Sequence, residues 1–426
     1  MQPDSSNAAP AADGTIYDVV IVGAGVSGGI IANELASKNL KVLILEAGQP
    51  IPASRQDYME RFFTSPAKTP ESPYPPNPIN TDPSEINVGR ATTNDLANVQ
   101  DPSKTYLVQN LADGQTPFSS TYERIGGGTL WHWLGTSLRM LPGDFELKTR
   151  FGHGRDWPIP YAEMAPLYAR GETEMGVSCT VETQQYMKGL YPPGYQYPMP
   201  GIKQSYLDKT LQQSLAGVSF YGEPMNVAPT PVARNSIPYQ GRRACAGNTS
   251  CIPICPIEAK YDATVTINKA LTTGNVTILY RTVASKVVVD SESGKISGID
   301  YLTWTDPRGG ASGRGTAVGR FYVLAVHAIE TPRLLLMSAT DQLPDGVANS
   351  SGQVGRNLMD HPLYLSWALM PEDKPIYGMR GPISTSGIET LRDTGHRKDW
   401  AAFRMEIGNE GWNFPINDPY QTPQDF

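Results

Sequence analysis

Tyr17-Asp18-Val19-Val20-Ile21-Val22-Gly23-Ala24-Gly25-Val26-Ser27-Gly28 is the stretch that decides the fold. A short β-branched run leads into a glycine cluster. Ile30, Ile31 and Leu35 follow at helical spacing, and then Lys41-Val42-Leu43-Ile44-Leu45-Glu46. The pattern spells strand, tight turn, helix, strand, with apolar runs that predict parallel strands covered on both faces. Glu46 ends the second strand, eighteen residues after Gly28. Dinucleotide binding requires this spacing. Gly23 makes the turn, Gly25 lets the backbone approach a pyrophosphate, and Gly28 lets helix and strand pack closely, while the acid takes ribose hydroxyls. A glutamate there suits FAD or NAD and repels a 2′-phosphate. An ordinary glycine turn accounts for the glycines but not for the strand, helix and acid around them.

Outward from this unit, residues 1–14 read as a disordered lead-in rich in Pro, Ala, Ser and Asp. Residues 50–120 carry Pro66, Pro70, Pro73, Pro75, Pro76, Pro78 and Pro83 with little periodicity, as expected of an extended insertion. A second cluster, Gly126-Gly127-Gly128, opens an apolar and aromatic stretch to Met140. Asp156-Trp157-Pro158-Ile159 leads to a helix through Ala165, Leu167, Tyr168 and Met175, and residues 180–240 look loop-like. Strands are expected at 276–279, 283–290, 296–303 and 321–326, the middle two joined by a turn at 291–294, and a helix at 330–339. Beyond Pro371 no element is legible.

Composition narrows the function classes. Glycine (41) and proline (37) make about 18% of the 426 residues, against roughly 12% in average usage, so many turns and irregular connections are expected. A net charge of −7 without runs of like charge gives nothing to attract nucleic acid or an anionic membrane surface. The longest apolar stretch, Val19 to Ala32, is broken by glycines and falls short of the ~20 residues of a spanning helix. With Lys38 as the first basic residue, no export signal of its own is expected.

Three of the four cysteines, Cys245, Cys251 and Cys255, fall in one C-x5-C-x3-C loop closed by Pro256. Inert buried thiols, a zinc site completed by a histidine, and an iron–sulfur cluster compete as readings. Inert thiols are usually scattered, and zinc prefers paired C-x2-4-C arms. Cysteine-only ligation followed by Cys-Pro is like ferredoxin-type runs, and three ligands suit a three-iron cluster. Among the five histidines, His132 lies within Trp131-His132-Trp133 and could face a bound cofactor or simply pack. His361 reads as structural, His327 has no evident role, and no G-x-S-x-G elbow supports a hydrolase.

Together the nucleotide motif, Gly127-Gly128-Thr129-Leu130-Trp131-His132-Trp133, Asp156-Trp157-Pro158-Ile159, the cysteine loop, Ala328-Ile329-Glu330-Thr331-Pro332 and Val354 to Pro362 resemble the glucose–methanol–choline (GMC) flavoprotein oxidoreductases. Ala233-Arg234-Asn235-Ser236 and the cysteines narrow the resemblance to flavoprotein subunits of bacterial membrane-linked dehydrogenases of glucose, fructose and gluconate. The resemblance implies that Gly23, Gly25, Gly28 and Glu46 bind the ADP half of FAD. Gly127, Gly128 and Thr129 would line the flavin side, with His132 beside a non-covalently held flavin. It also implies that Cys245, Cys251 and Cys255 hold a [3Fe–4S] cluster. The fold it implies is α/β, a Rossmann-like FAD-binding domain on 15–155 and 241–355, including the 50–120 insertion and the 245–256 cysteine loop. A discontinuous substrate domain built on an antiparallel sheet would occupy 156–240 and 356–426, with the C-terminal part of the family fold missing.

Two departures stand out. Val326-His327 replaces the family's small residue and glycine after the strand alanine, beside the expected adenine end of FAD. Nothing after Pro362 resembles the segment that supplies the family's catalytic His–His or His–Asn pair, so the catalytic residues are unassigned. His396, within the charged run Arg392 to Lys398, reads as a solvated face. The implied activity is oxidation of a sugar or polyol C–OH group, with electrons leaving through the cluster to a cytochrome partner. A truncated or degenerate paralogue acting as an electron relay, and a pyranose-oxidase-like enzyme using oxygen, are the alternatives. A small chaperone-like subunit would carry the protein to the periplasm, where partners associate it with the membrane.

Overall fold

A computed structural model describes residues 15–51, 124–131, 133–247, 255–305, 310–359 and 382–408, with a few further positions that include Cys251. The lead-in, nearly all of the 50–120 insertion and His132 lie outside the described residues. Its strands are β1 (Ile16–Val22), β2 (Val42–Leu45), β3 (Ser219–Phe220), β4 (Glu223–Pro224), β5 (Val227–Pro229), β6 (Val276–Leu279), β7 (Thr282–Val289), β8 (Ile296–Thr303), β9 (Gly313–Leu324), β10 (Ser386–Ile388) and β11 (Met405–Ile407). The longer helices are α1 (Val26–Ala36), α2 (Tyr161–Met175), α3 (Tyr206–Ser214), α4 (Ala263–Thr272) and α5 (His327–Met337). Among the described residues no helix is long and apolar enough to cross a membrane.

The chain divides into two compact units, each built from separate stretches. The first comprises Met1–Glu60, Asn77–Trp131 and Asp262–Ser366; the second comprises Arg61–Pro76, His132–Tyr261 and Trp367–Phe426. Residues 132–155 and the cysteine loop, assigned by sequence to the nucleotide domain, thus group with the second unit. Backbone bonds explain the difference for the loop. Asn235 N–H donates to Ala259 O at 2.9 Å, Tyr261 N–H to Ala233 O at 2.9 Å, and Cys245 N–H to Asn235 O at 2.8 Å, so both ends of the loop are tied to residues 233–235.

In the first unit a six-stranded sheet has the order β6-β2-β1-β9-β8-β7. β1 runs parallel to β2 and to β9, and β2 parallel to β6, while β7, β8 and β9 form an antiparallel meander. The continuous apolar runs of β1 and β2 are buried on both faces, as their composition demanded. Val19, Ile21, Val42 and Ile44 pack with Ala32 of α1 and Ile267 and Ala270 of α4. Val20, Val22, Leu43 and Leu45 pack with Leu334 of α5, Val287 and Ile299. Each such side chain contributes roughly 1.5–3 kcal/mol of burial. α1 meets α4 so closely that a Cβ on Gly29 would stand 3.0 Å from Ile267 Cγ1.

The second unit has its own small cores. Tyr161 and Ala165 of α2 pack with Leu141, Phe145 and Met187. A three-stranded antiparallel sheet, β11-β10-β5, buries Val227, Ile388 and Ile407 against Leu207, Leu211 and Leu215 around α3. The α/β class, with a Rossmann-like unit and a second, discontinuous unit that carries an antiparallel sheet, is the architecture the sequence implied. The charged run before β11 is the exception. His396 and Arg397 are buried, and Arg397 bonds Asp144 at 2.9 Å and Asp393 at 3.2 Å, so the run is an internal ion-pair network rather than a solvated face.

Candidate functional site

The turn between β1 and α1 is shaped residue by residue. Gly23 has φ +100°, a conformation L side chains rarely adopt, and a Cβ there would lie 2.7 Å from Ala325 O. A Cβ on Gly28 would run into the carbonyl oxygen of Gly23, so the third glycine lets the helix close against the turn. Gly25, the N-cap residue of α1, is different. Its backbone is extended at φ −84°, and nothing lies within 4 Å of where a Cβ would stand. No side chain caps α1 and no acid stands in its first turn. The first amides and the positive end of the helix dipole are therefore available to an anion.

The second glycine cluster is bonded to the first. Gly127 N–H donates to Ala24 O at 2.9 Å, and a Cβ on Gly128 would be 3.3 Å from Gly25 Cα. Gly127 and Gly128 have φ +94° and +61°, and a Cβ on Gly127 would stand 2.7 Å from Trp131 Nε1. Buried Trp131 closes the 3-10 turn Gly128–Trp131 by donating from Nε1 to Gly126 O at 2.9 Å, leaving Thr129 exposed. The two loops thus form one glycine-walled edge.

Glu46 is buried, and its oxygens accept from the backbone: Oε2 from Ala24 N–H and Oε1 from Gly48 N–H, both at 2.8 Å. Burial pushes its carboxyl pKa up, opposed by these two bonds and by the charge of Arg124. A carboxylate has about four acceptor directions, so each oxygen keeps one for a ribose hydroxyl. Arg124, which the sequence did not single out, also bonds Glu330 Oε1 at 3.2 Å. His327 opens α5 with φ +52°, where the resembled family has a glycine, and its Nδ1 accepts from Ile329 N–H at 3.1 Å. The residue is exposed overall, but desolvation of its ring and the nearby charge of Arg124 lower its pKa, and Glu330 opposes them.

In the second unit, Cys251 and Cys255 are buried and Cys245 half-buried, none of the three in a disulfide. Gly247 N–H points to Cys245 Sγ at 3.4 Å, and Arg234 Nη1 to Cys251 Sγ at 3.7 Å. Burial raises the Cys251 thiol pKa, Arg234 and Lys260 pull it down, and Cys255 and Cys245 push it up. The fourth cysteine, Cys179, is buried apart from the loop, its thiol pushed up to about 12 by burial. Among the described residues no three His, Cys, Asp or Glu side chains stand gathered as a ready metal site. Arg234 entered the sequence analysis only within the run Ala233 to Ser236, with no role at the thiols, and Lys260 not at all, because a cation bordering a thiol loop has no signature of its own.

The family described as GMC oxidoreductase matches residues 222–363. The chain is 32% identical over 397 residues to the fructose dehydrogenase large subunit of Gluconobacter japonicus, an alignment covering 93% of this chain and 67% of that protein. This chain belongs to the GMC oxidoreductases. Its cofactor is FAD, and the uncapped start of α1, the open space at Gly25 and the buried acid of Glu46 suit that dinucleotide. The chain is also 30% identical to the paromamine 6′-oxidase of Streptomyces fradiae, covering 81% of this chain and 54% of that protein. With the gluconate 2-dehydrogenase flavoprotein of Pantoea cypripedii the identity is 23%, covering 80% and 55%. The chain therefore spans between about half and two thirds of these relatives.

Proposed function

We propose that this chain is the FAD-binding part of a dehydrogenase that oxidises a C–OH group of a sugar or polyol. On this reading the electrons leave through a [3Fe–4S] cluster to a one-electron acceptor such as a cytochrome. The observation that carries the reading is the glycine-walled edge, where Gly127 N–H bonds Ala24 O beside the uncapped start of α1. Support for the substrate class comes from the relatives named for fructose and gluconate.

The chain's own residues have distinct tasks. The amides at the start of α1 hold the pyrophosphate, and the free acceptor directions of Glu46 hold the ribose hydroxyls. Gly127, Gly128 and Thr129 border the flavin half. Bound FAD supplies a two-electron acceptor for hydride from the carbinol carbon. Cys245, Cys251 and Cys255 would hold the cluster, whose chemistry is to pass electrons one at a time. Its support is the all-thiol donor set and a buried arginine at Cys251. A small subunit and a cytochrome subunit are the partners in this reading, in keeping with a relative named as a large subunit, and the periplasmic side of the membrane is the proposed place.

Mixing the flavin-loaded protein anaerobically with a panel of sugars and polyols tests this reading. Bleaching of the oxidised flavin band by at least one of them is expected, followed by reduction of an external cytochrome. Failure of every sugar and polyol to bleach the flavin overturns the assignment. The relative named as an oxidase favours a second reading, in which oxygen takes the electrons directly. Stoichiometric peroxide from sugar in air, with no cytochrome reduction, would establish it.

A further inference from the structure

We infer that the second unit carries a platform for a neutral sugar ring, built from Phe220, Tyr221, Phe403 and His396. A sugar held there need not be the one oxidised, so the platform stands apart from the oxidation reading. Phe220 pairs with Glu223 across the β3–β4 hairpin, which leaves Tyr221 and Gly222 as its two turn residues. Both have positive φ, +50° and +77°. Such a turn is ordinarily built from Asn, Asp or Gly, so a tyrosine strains the backbone. The Tyr221 side chain is also 61% exposed, and the fold gains little burial from it. Strain kept at an exposed aromatic points to a ligand rather than to stability.

Behind the hairpin tip stands a histidine with unused bonding capacity. The Tyr221 ring lies nearly parallel to that of His396, with 23° between planes and 6.2 Å between centroids, and Phe403 meets His396 edge-on at 5.9 Å. Phe220 joins Tyr221 at 4.6 Å and Phe403 at 6.1 Å, which completes the cluster. His396 is 8% exposed, its Nδ1 bonds the Thr394 hydroxyl, and its Nε2 has no partner among the described residues. A buried nitrogen left without a partner is costly. Tyr221, at the tip, can turn aside and admit a ligand hydroxyl to it. A hydroxyl both donates and accepts, so it suits Nε2 in either tautomer. A pyranose offers that hydroxyl together with a face of C–H bonds, which matches the negative face of an aromatic ring. The neighbouring cation does not call for an anion, because Arg397 is already paired with Asp144 at 2.9 Å and Asp393 at 3.2 Å. The segments are tied to one another: Thr390 Oγ1 donates to Pro224 O at 2.7 Å, and Phe403 N–H to Leu391 O at 3.4 Å.

Saturation-transfer NMR on the full chain tests the platform. The probes are methyl β-glucopyranoside and maltose, with sorbitol, which has no ring face, as the control. Transfer to the ring C–H protons of at least one glycoside is expected. Tyr221→Asn suits the turn, so its melting temperature should equal or exceed that of wild type. Its Kd for the glycoside should rise about tenfold or more, whereas Tyr221→Trp, which keeps an aromatic face, stays within about threefold. In nitrogen NMR spectra of histidine-labelled protein, the His396 Nε2 signal is identified by its loss in His396→Gln. That signal should shift on addition of glycoside to wild type but not to Tyr221→Asn. No transfer to either glycoside, or unchanged affinity in Tyr221→Asn, overturns the platform and leaves the oxidation reading to its own test of flavin bleaching. Transfer to sorbitol equal to that to the glycosides overturns it as well. A lower melting temperature in Tyr221→Asn would make Tyr221 a packing residue, and a wild-type dimer that Tyr221→Asn dissociates would give the patch to a second copy; either result also overturns it.

Discussion

The amide of Gly127 donates to the carbonyl of Ala24 at 2.9 Å, joining two glycine loops about a hundred residues apart in sequence. The other side of Ala24 is also taken, since its N–H donates to Glu46 Oε2 at 2.8 Å. One alanine therefore ties the β1–α1 turn, the acid after β2 and the second glycine cluster together. Formation of the nucleotide edge is coupled to the sheet because all three segments stand at the ends of β1 and β2 or bond to them.

Gly23 and Gly25 of the turn should separate by substitution. Gly23→Ala puts a Cβ against Ala325 O in a left-handed backbone, and such strain costs roughly 1–2 kcal/mol before the clash is counted. Lower thermal stability and lost flavin are expected together. Gly25→Leu fills only open space, with an ordinary φ of −84°. Its melting temperature without FAD should match wild type while the flavin-to-protein ratio falls at least tenfold. Normal flavin content in Gly25→Leu would show that the pyrophosphate does not approach this residue.

Glu46→Ala leaves two buried amides, Ala24 N–H and Gly48 N–H, without their acceptor. Each unpaired buried donor costs about 1–3 kcal/mol, so a loss of several kcal/mol is expected in denaturant titration of the apoprotein. A purely ribose-binding acid would leave the apoprotein unchanged and weaken FAD alone, so comparing apo and holo forms divides the two roles.

Much of this edge was legible because glycine, acid and apolar runs stand in one local stretch. The double employment of Glu46 was not, since it depends on where Ala24 and Gly48 point after folding. Two of the longer helices were also missed. α3 begins with a capping box in which the Ser205 hydroxyl accepts from Asp208 N–H and Asp208 accepts from Ser205 N–H, a signature present in the sequence but hidden among Gln, Pro and Tyr. α4 begins where the Asp262 side chain accepts from Thr264 N–H, and its Thr-rich run looked unlike a helix until α1 supplied a partner. β9 starts at Gly313, eight residues before the expected strand, because Gly313 to Ala317 pair with β8 and carry little apolar pattern.

His327 carries a positive φ of +52° at the start of α5. His327→Gly should relieve roughly 1 kcal/mol of left-handed strain and raise the melting temperature by a few degrees. The same residue gives a pH dependence. Its folded pKa is depressed by desolvation of the ring, so the unfolded chain binds the proton more readily. Its contribution is full above the unfolded value of about 6.5 and diminishes as pH falls below it towards the folded pKa. Melting temperatures from pH 8 to pH 5 should fall less steeply for His327→Gly than for wild type. Parallel curves would place the pH dependence elsewhere.

Arg139 and Glu172 form a buried bidentate pair, with Nε to Oε1 at 2.7 Å and Nη2 to Oε2 at 2.6 Å. The guanidinium lies over Tyr191 at 4.9 Å and Tyr195 at 4.7 Å, and the Tyr195 hydroxyl donates to Glu172 Oε2. Burial opposes the charge on Arg139, but the hydrogen bonds and attraction of Glu172 outweigh it and raise its pKa. Arg139→Met leaves a carboxylate buried with only a phenol beside it and should cost about 3–5 kcal/mol. Arg139→Met with Glu172→Leu removes both charges, and buried pairs replaced by apolar side chains are often neutral. The double variant should therefore unfold at a higher urea concentration than Arg139→Met alone. A double variant as unstable as the sum of the singles would mean that the tyrosine stack, not the ion pair, is what Arg139 supports.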